Sequence, residues 1–147
     1  MADLDSLLIT SLEDAGPAVK AVFDRDDRRL SAEDLRAFWR ETRMFAVATA
    51  GKNGAPHIAP VHVLMGDDDG LEMAIFEDSV RLKDLRRDPR IAITTWAPDG
   101  RIAIVYGRAE EVAGTRREAG PNSGRFVITM RIDVDRAYAM KPAPRAG

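Results

Sequence analysis

The chain has 147 residues, 45% of them hydrophobic and 31% charged, which is typical of one globular domain and excludes a disordered chain. Its net charge of −2 offers no global attraction to nucleic acid or to an anionic membrane. The absence of cysteine excludes disulfides, thiol catalysis and cysteine-ligated metals. With no basic, apolar leader and no apolar run near 20 residues, we expect a soluble protein of the reducing cytoplasm.

Residues 1–30 are predicted to form an N-terminal extension that is partly helical. Leu7, Leu8 and Leu12 are spaced to line one side of a short helix, and Gly16 with the following proline interrupts it. In the run 24–29 every residue is charged, which predicts a solvated turn. A separate folded region is therefore expected from residue 31 onward.

That region is predicted to open with a helix and to continue with strands. Ser31 and Asp34 resemble a capping box, and an apolar face follows at helical spacing. Asn53-Gly54 is a hairpin signal between the first two strands, and Pro60 restricts the pairing of the second. Strands are predicted over residues 44–50, 57–65, 71–76, 90–97, 101–112 and 126–134.

A short internal helix is predicted between the third and fourth strands, from Asp78 or Ser79 to about Arg87, where Pro89 stops it. The hairpin turns are too short for parallel crossovers, so the fold class is mainly β, an antiparallel barrel of six strands with short flanking helices. The barrel is expected over residues 31–140, with a loose tail at 141–147.

The fifth predicted strand, residues 101–112, is apolar on both faces around its middle. One face fills the barrel interior and the other needs cover. A second copy of the chain is the simplest cover, so we expect a homodimer.

The sequence contains no evident catalytic constellation of its own. His57 and His62 are an odd number of residues apart, which places them on opposite faces of a strand, so no metal site is expected. The acidic turn 67–70 fails the spacing of a calcium loop, and phosphate-loop, dinucleotide and nucleophile-elbow motifs are missing. If the protein is an enzyme, a cofactor is expected to carry the reaction.

The start of the internal helix is the most informative segment. Arg81 and Lys83 lie in its first turns, where cations oppose the helix dipole. A bound anion would reverse that effect, because the unpaired N–H groups, the Ser79 hydroxyl and the Arg81 guanidinium would together form a phosphate site. The alternative is a solvated basic face that continues through Arg86, Arg87 and Arg90.

Three stretches in order, FAVATAGKNGAPHIAPVHVL, SVRLKDLRRDPRIAITTWAPDG and YGRAEEV, carry a family resemblance. Together they span about half of the chain, residues 45–112. They resemble the pyridoxamine 5'-phosphate oxidase-like split-barrel superfamily, which includes reductases that use FMN or the deazaflavin F-420. The resemblance implies a split β-barrel and a flavin-type cofactor, FMN or F-420.

Carried over position by position, the resemblance implies a set of cofactor-binding residues. Arg81 would hold the cofactor phosphate, with Ser79 beside it. The strand through Pro60, Val61 and His62 would lie along the flavin ring. The remaining candidates are Thr49 and Ala50 at the other edge of the ring, Lys83 on the helix, and Trp96, which is equally compatible with a core position.

Two departures from the family pattern bear on function. Ala59 stands where classical FMN oxidases of the family have an arginine, which argues against a vitamin-salvage oxidase and favours the deazaflavin. The segment between Val112 and Arg125 is short and glycine-rich where many relatives have a helix or a longer loop.

The sequence therefore predicts an oxidoreductase that transfers a hydride to or from a small organic substrate. The alternative is a non-catalytic protein that binds or sequesters a flavin or heme. A nucleic-acid-binding barrel is a third and weaker reading, because the basic segment offers Trp96 as its sole aromatic for base stacking.

Overall fold

Eight strands and four α-helices make up the part of the chain that the computed structural model describes, residues 3–145. The helices are α1 (Leu4–Glu13), α2 (Pro17–Phe23), α3 (Ala32–Glu41) and α4 (Val80–Arg87). The strands are β1 (Phe45–Ala50), β2 (Pro56–Val61), β3 (Leu64–Met65), β4 (Leu71–Phe76), β5 (Arg90–Trp96), β6 (Ile102–Glu111), β7 (Arg117–Glu118) and β8 (Phe126–Met140).

The strands form one antiparallel sheet in the order β2-β1-β5-β6-β8-β4-β3, with β7 added on β8. This confirms the mainly β, antiparallel split barrel, in which β3 is a separated part of the second predicted strand and β7 is a two-residue addition. Although β2 and β3 follow each other in the chain, they lie at opposite ends of the strand order. The chain therefore crosses the open side of the barrel at His62-Val63.

The prediction of one continuous strand over residues 57–65 is wrong at this crossing. Phe45 is the first residue of β1 and pairs with Val61, so β1 offers no partner beyond that point. Leu64 and Met65 pair instead with β4. The crossing is anchored by α3, because the Trp39 indole Nε1–H donates to the Val63 carbonyl at 3.0 Å.

The last strand extends six residues beyond the predicted end at Val134. A β-bulge is the reason: Tyr106 pairs with Arg136 but Gly107 pairs with Val134, so Asp135 is an extra residue. The inward-outward alternation changes phase there, which hides the strand in the sequence. A side chain at position 107 would collide with the carbonyl oxygen of Asp133.

Helix α3 closes one end of the barrel core. It begins as predicted, with the Ser31 Oγ accepting the Asp34 N–H at 3.1 Å. Leu35, Phe38 and Trp39 are fully buried, and Trp39 stacks on Phe45 with ring centroids 4.4 Å apart. The apolar face predicted for this helix is therefore its core face.

The N-terminal helices pack on the barrel. Leu4 and Leu7 of α1 belong to the same buried cluster as the strands, and the Ser11 Oγ accepts the Ala137 N–H at 3.0 Å. Phe23 of α2 packs against Tyr138 and the half-buried outer residues of β6. Helix α2 thus supplies part of the cover for β6 that the sequence argument assigned to a second subunit.

The segment boundaries at residues 30 and 140 remain a division made from the sequence. Residues 1, 2, 146 and 147 of the predicted extension and tail lie outside the described residues. Within residues 141–145 the chain has no regular secondary structure. None of the helices found between residues 3 and 145 combines the length and the apolar character that crossing a bilayer requires.

Candidate functional site

The N-terminus of α4 is built as the sequence predicts. Ser79 is the N-cap residue, and its Oγ accepts the Leu82 N–H at 3.2 Å. Leu82 and Leu85 are buried and hold the helix against the barrel. At about 100° per residue, Arg81 lies between Asp84 and Leu85 on the helical wheel and so on the protein-facing side.

Arg81 is half-buried, and its Nε is fully buried without a hydrogen-bond partner among residues 3–145. Buried polar atoms in proteins are nearly always hydrogen-bonded, so this donor marks an unmet requirement. It lies in the first turn of a helix, where the dipole and the N–H groups already favour negative charge. The arrangement fits an anionic group.

The other cations of α4 are arranged differently. Lys83 is exposed. The arginines of the predicted basic face form ion pairs: Arg86 with Glu111 at 2.7 Å, Arg87 with Asp84 at 3.1 Å, and Arg90 with Asp88 at 2.7 Å. Most of the positive charge on this basic face is therefore neutralised by ion pairs with neighbouring carboxylates. Arg81 differs from these arginines in the buried position of its Nε.

The glycine-rich segment after Val112 is tied to the entrance of α4. Arg116 bonds Glu77 at 2.5 Å and Arg125 bonds Asp78 at 3.1 Å. Glu77 and Asp78 directly precede Ser79, and the Arg116 hydrogen bond lowers the pKa of Glu77 below its usual range. The short segment therefore forms one wall beside the α4 N-terminus.

A buried carboxylate that the sequence reasoning missed joins α4 to the first hairpin. The side chain of Asp84 is 2% exposed. Its Oδ2 accepts the Thr49 hydroxyl at 2.8 Å and lies 2.6 Å from the His57 Nδ1. Its Oδ1 accepts from Arg87 at 3.1 Å. One carboxylate thus connects β1, β2 and α4.

Gly51 makes room for this arrangement. A Cβ at position 51 would lie 2.5 Å from the His57 Cε1 and 2.8 Å from the Ala55 carbonyl oxygen. A larger residue would push the imidazole out of its place against Asp84. The His57 side chain remains 42% exposed, with Nδ1 directed to Asp84.

The charge state of Asp84 follows from its partners. Burial alone would raise the pKa of Asp84, but hydrogen bonds from His57 and Thr49 and the charge of Arg87 outweigh burial and lower the pKa. Asp84 is therefore a carboxylate at neutral pH. The sequence offered one sign of this burial, because the helical spacing places Asp84 on the same side of α4 as the buried Leu85.

A second, apolar feature lies at the other end of β1. A cavity of about 380 Å3 opens on the outer face of the sheet. Trp96, Ile58 and Met44 at this cavity are 67%, 73% and 54% exposed. Its remaining lining residues are Phe45, Ala46, Ala59, Pro60, Thr94 and Thr95.

The strand register separates the predicted cofactor residues into two groups. Ala46 pairs with Pro60 and Thr94, so Pro60, Val61, His62 and Trp96 lie at the start of β1. Thr49 and Ala50 lie at its end, where Thr49 is bonded to Asp84, one helical turn from Arg81. At about 3.3 Å per residue, Phe45 and Thr49 are roughly 13 Å apart.

The predicted cofactor-binding residues differ in the exposure of their side chains. The Thr49 side chain is buried, with its hydroxyl committed to Asp84, whereas His62, Pro60 and Trp96 are exposed. Ser79 and Ala50 are half-buried. No group of three or more potential metal-binding His, Asp or Glu side chains occurs within the described part of the chain.

Comparison with models of known protein families shows to which family the chain belongs. The model for pyridoxamine 5'-phosphate oxidase matches residues 31–138. The chain belongs to this family. No match was found among functionally curated proteins.

Several solved structures share the fold of this chain. A conserved hypothetical protein of Mycobacterium tuberculosis is 22% identical, with a TM-score of 0.66, and the match covers 84% of this chain and 96% of the other. An FAD-binding protein of Mesorhizobium loti is 18% identical, with a TM-score of 0.60 and coverage of 79% and 99%. The heme storage protein HutZ of Vibrio cholerae is 11% identical, with a TM-score of 0.59 and coverage of 74% and 94%.

The Asp84 network generates a stability prediction. Asp84→Ala removes the shared acceptor of three donors, and we expect it to lower the free energy of unfolding by about 1.5–3 kcal/mol at pH 7. The half-exposed His57 and Arg87 can regain water, which limits the loss. Urea denaturation followed by circular dichroism measures it, with exposed Asp135→Ala as the matched control.

The same network predicts an acid dependence. Because the pKa of Asp84 is lower in the folded chain than its ordinary 3.8, its stabilisation is complete above that value and is lost as pH falls through the folded pKa. Asp84→Ala should therefore lose less stability than wild type on acidification below about pH 4. If the free energy of unfolding fell equally with pH in the variant and in wild type, the lowered pKa of Asp84 would be contradicted.

Proposed function

We propose that this chain binds the phosphate of a flavin-type cofactor, FMN or the deazaflavin F-420, at the N-terminus of α4. The observation that carries the proposal is the Nε of Arg81, which is buried beside the Ser79 cap and has no hydrogen-bond partner among residues 3–145. A phosphate there would accept from Arg81 and from the first N–H groups of α4. The residues present fit such a group.

The two-ended layout supports an elongated ligand. A phosphate at Arg81 lies at one end of β1, and the apolar cavity beside Trp96 and Pro60 lies at the other. Strand β2 ends the sheet, so its outer edge offers unpaired peptide groups next to the cavity. A phosphate joined through a flexible chain to a flat ring matches this separation of charged and apolar surfaces.

The proposed activity is that of an oxidoreductase acting on a small apolar organic substrate. A bound flavin or deazaflavin supplies hydride transfer, which side chains cannot provide. The chain's own residues would anchor the phosphate through Arg81, line the ring through Pro60, His62 and the backbone of Val61, whose side chain is buried in the core, and exclude water beside Trp96. The cavity wall contains no charged side chain, which favours an uncharged substrate.

Ala59 bears on which cofactor is used. Classical FMN oxidases of the family have an arginine at this position, whereas here Ala59 lines the apolar cavity. Without that second cation the chain offers less positive charge for a phosphate dianion, which favours the deazaflavin over FMN. The similarity to an FAD-binding protein supports flavin binding in general.

A non-catalytic role in binding or sequestering a flavin or heme is the second candidate. The observation in its favour is that His57, the imidazole beside the site, is already engaged by Asp84. A bound flavin that NAD(P)H or dithionite reduces but no organic acceptor reoxidises would select this role over the enzyme.

We further propose a homodimer that covers the outer face around Trp96. Met44, Ile58 and Trp96 are large apolar side chains exposed together at one cavity. A contiguous apolar patch of this kind is typical of an interaction surface. A second copy placed there would also enclose the ring end of the cofactor.

A substitution of Arg81 tests the proposed phosphate site. Arg81→Ala removes a charge-assisted hydrogen bond worth about 1.5–3 kcal/mol, so FMN should bind roughly tenfold to a hundredfold more weakly. Arg86→Ala is the control, because Arg86 is exposed and paired with Glu111. Flavin fluorescence quenching measures both, with riboflavin as the phosphate-free ligand.

Riboflavin should bind wild type and both variants equally. If long-range attraction alone held the ligand, the two arginine variants would behave alike and their losses would shrink with added salt. Equal and small effects would return the α4 segment to a solvated basic face.

A substitution in the exposed apolar patch tests the proposed dimer. Ile58→Asp places a charge in the exposed apolar patch and should convert the dimer to a monomer, while Ile9→Asp, on the exposed face of α1, should not. Light scattering at micromolar concentration measures the mass. A wild-type protein that is monomeric under these conditions would remove the proposed dimer.

A further inference from the structure

Asp84 is flanked on α4 by two arginines at the same distance along the chain. Arg81 precedes it by three residues and Arg87 follows it by three, and both spacings allow an ion pair on a helix. The structure pairs Asp84 with Arg87, at 3.1 Å. Arg81 is not among the partners of Asp84, and its Nε is left buried without an acceptor in the described residues.

The direction of the helix and its dipole explain in part why Asp84 pairs with Arg87 and not with Arg81. An acidic residue that precedes its basic partner along a helix pairs more favourably than the reverse order. Arg87 also lies in the last turn of α4, where cations are stabilised, whereas Arg81 lies in the first turn, where they are not. The Asp84–Arg87 pair is therefore the better of the two.

The remaining oxygen of Asp84 is occupied from the barrel side. The Thr49 hydroxyl and the His57 Nδ1 both contact Oδ2, at 2.8 and 2.6 Å. Gly51 allows the His57 ring to take up this position. With Oδ1 bonded to Arg87, both oxygens of the nearest buried carboxylate are already engaged.

We propose that Thr49, His57 and Arg87 are positioning residues that keep Arg81 available for an external anion by occupying Asp84. This inference rests on the proposed phosphate site at Arg81. Without one of these donors, the charge of the Asp84 carboxylate is less compensated, and Asp84 becomes a stronger acceptor for Arg81. A phosphate must then compete with an internal carboxylate, and the site loses its preference for a phosphorylated over a non-phosphorylated flavin.

The experiment compares FMN with riboflavin by flavin fluorescence quenching on Thr49→Val and Thr49→Ser. Valine removes the hydroxyl without changing charge or size, and serine retains it. We expect Thr49→Val to bind FMN about tenfold more weakly, the value of one charge-assisted hydrogen bond, and Thr49→Ser to match wild type. Riboflavin affinity should be the same in all three proteins.

The deciding step adds Asp84→Asn to Thr49→Val. An amide has no charge with which to hold Arg81, so the double variant should recover FMN affinity to within about twofold of wild type, even if it is less stable. A purely structural role for the network predicts the opposite, a further loss that affects FMN and riboflavin alike. That result would overturn the proposal.

A second arm covers the case in which Thr49→Val does not fold. Arg87→Gln opens Oδ1 from the solvent side and should also weaken FMN but not riboflavin, and Arg87→Gln/Asp84→Asn should recover it. Unchanged FMN affinity in folded Thr49→Val or Arg87→Gln overturns the positioning role while wild type still prefers FMN. A wild type without that preference overturns the phosphate site itself.

Discussion

The Asp84 carboxylate is the contact that joins helix α4 to the hairpin of β1 and β2. It lies on the buried arc of α4 and receives donors from β1, β2 and its own helix. A buried carboxylate is costly without such partners, so the three elements must meet at this point for the fold to be stable. The position of Arg81, one turn earlier on the same helix, follows from that meeting.

The split of the barrel explains where a ligand can bind. Because β2 and β3 lie at opposite ends of the strand order, the sheet leaves an open edge along β2, and α4 packs beside β1 and β4. The edge connects a cationic end at Arg81 with an apolar end at Trp96. Solved structures that share this fold include proteins described as FAD-binding and as heme storage, so the site residues rather than the fold must indicate the ligand.

Much of the architecture was predictable because its signals are local. Hairpin turns, helix caps and apolar periodicity placed β1, β4, α4 and the start of α3 within one or two residues. Two errors came from long-range pairing: β2 ends at Val61 because β1 begins at Phe45, and β8 continues past Val134 because a bulge at Asp135 shifts the alternation. Neither cause is visible in a strand's own residues.

The sequence predicted the charged residues of the candidate site but not the hydrogen bonds that join them to other strands. Ser79 and Arg81 were identified from the helix start, whereas Asp84 looked like one more charge in a basic segment. Its partners Thr49 and His57 are 35 and 27 residues away in sequence, and the sequence reasoning considered His57 only as a metal ligand. The role of Asp84 emerges when β1, β2 and α4 are placed together.

We propose that a phosphate anchors the cofactor, and equilibrium binding to the wild-type protein tests this by comparing FMN and F-420, each with its phosphate-free counterpart. We expect at least one of the two to bind at least about tenfold more tightly with its phosphate than without it, the contribution of one charge-assisted hydrogen bond. Equal affinities with and without phosphate for both ring systems would contradict it.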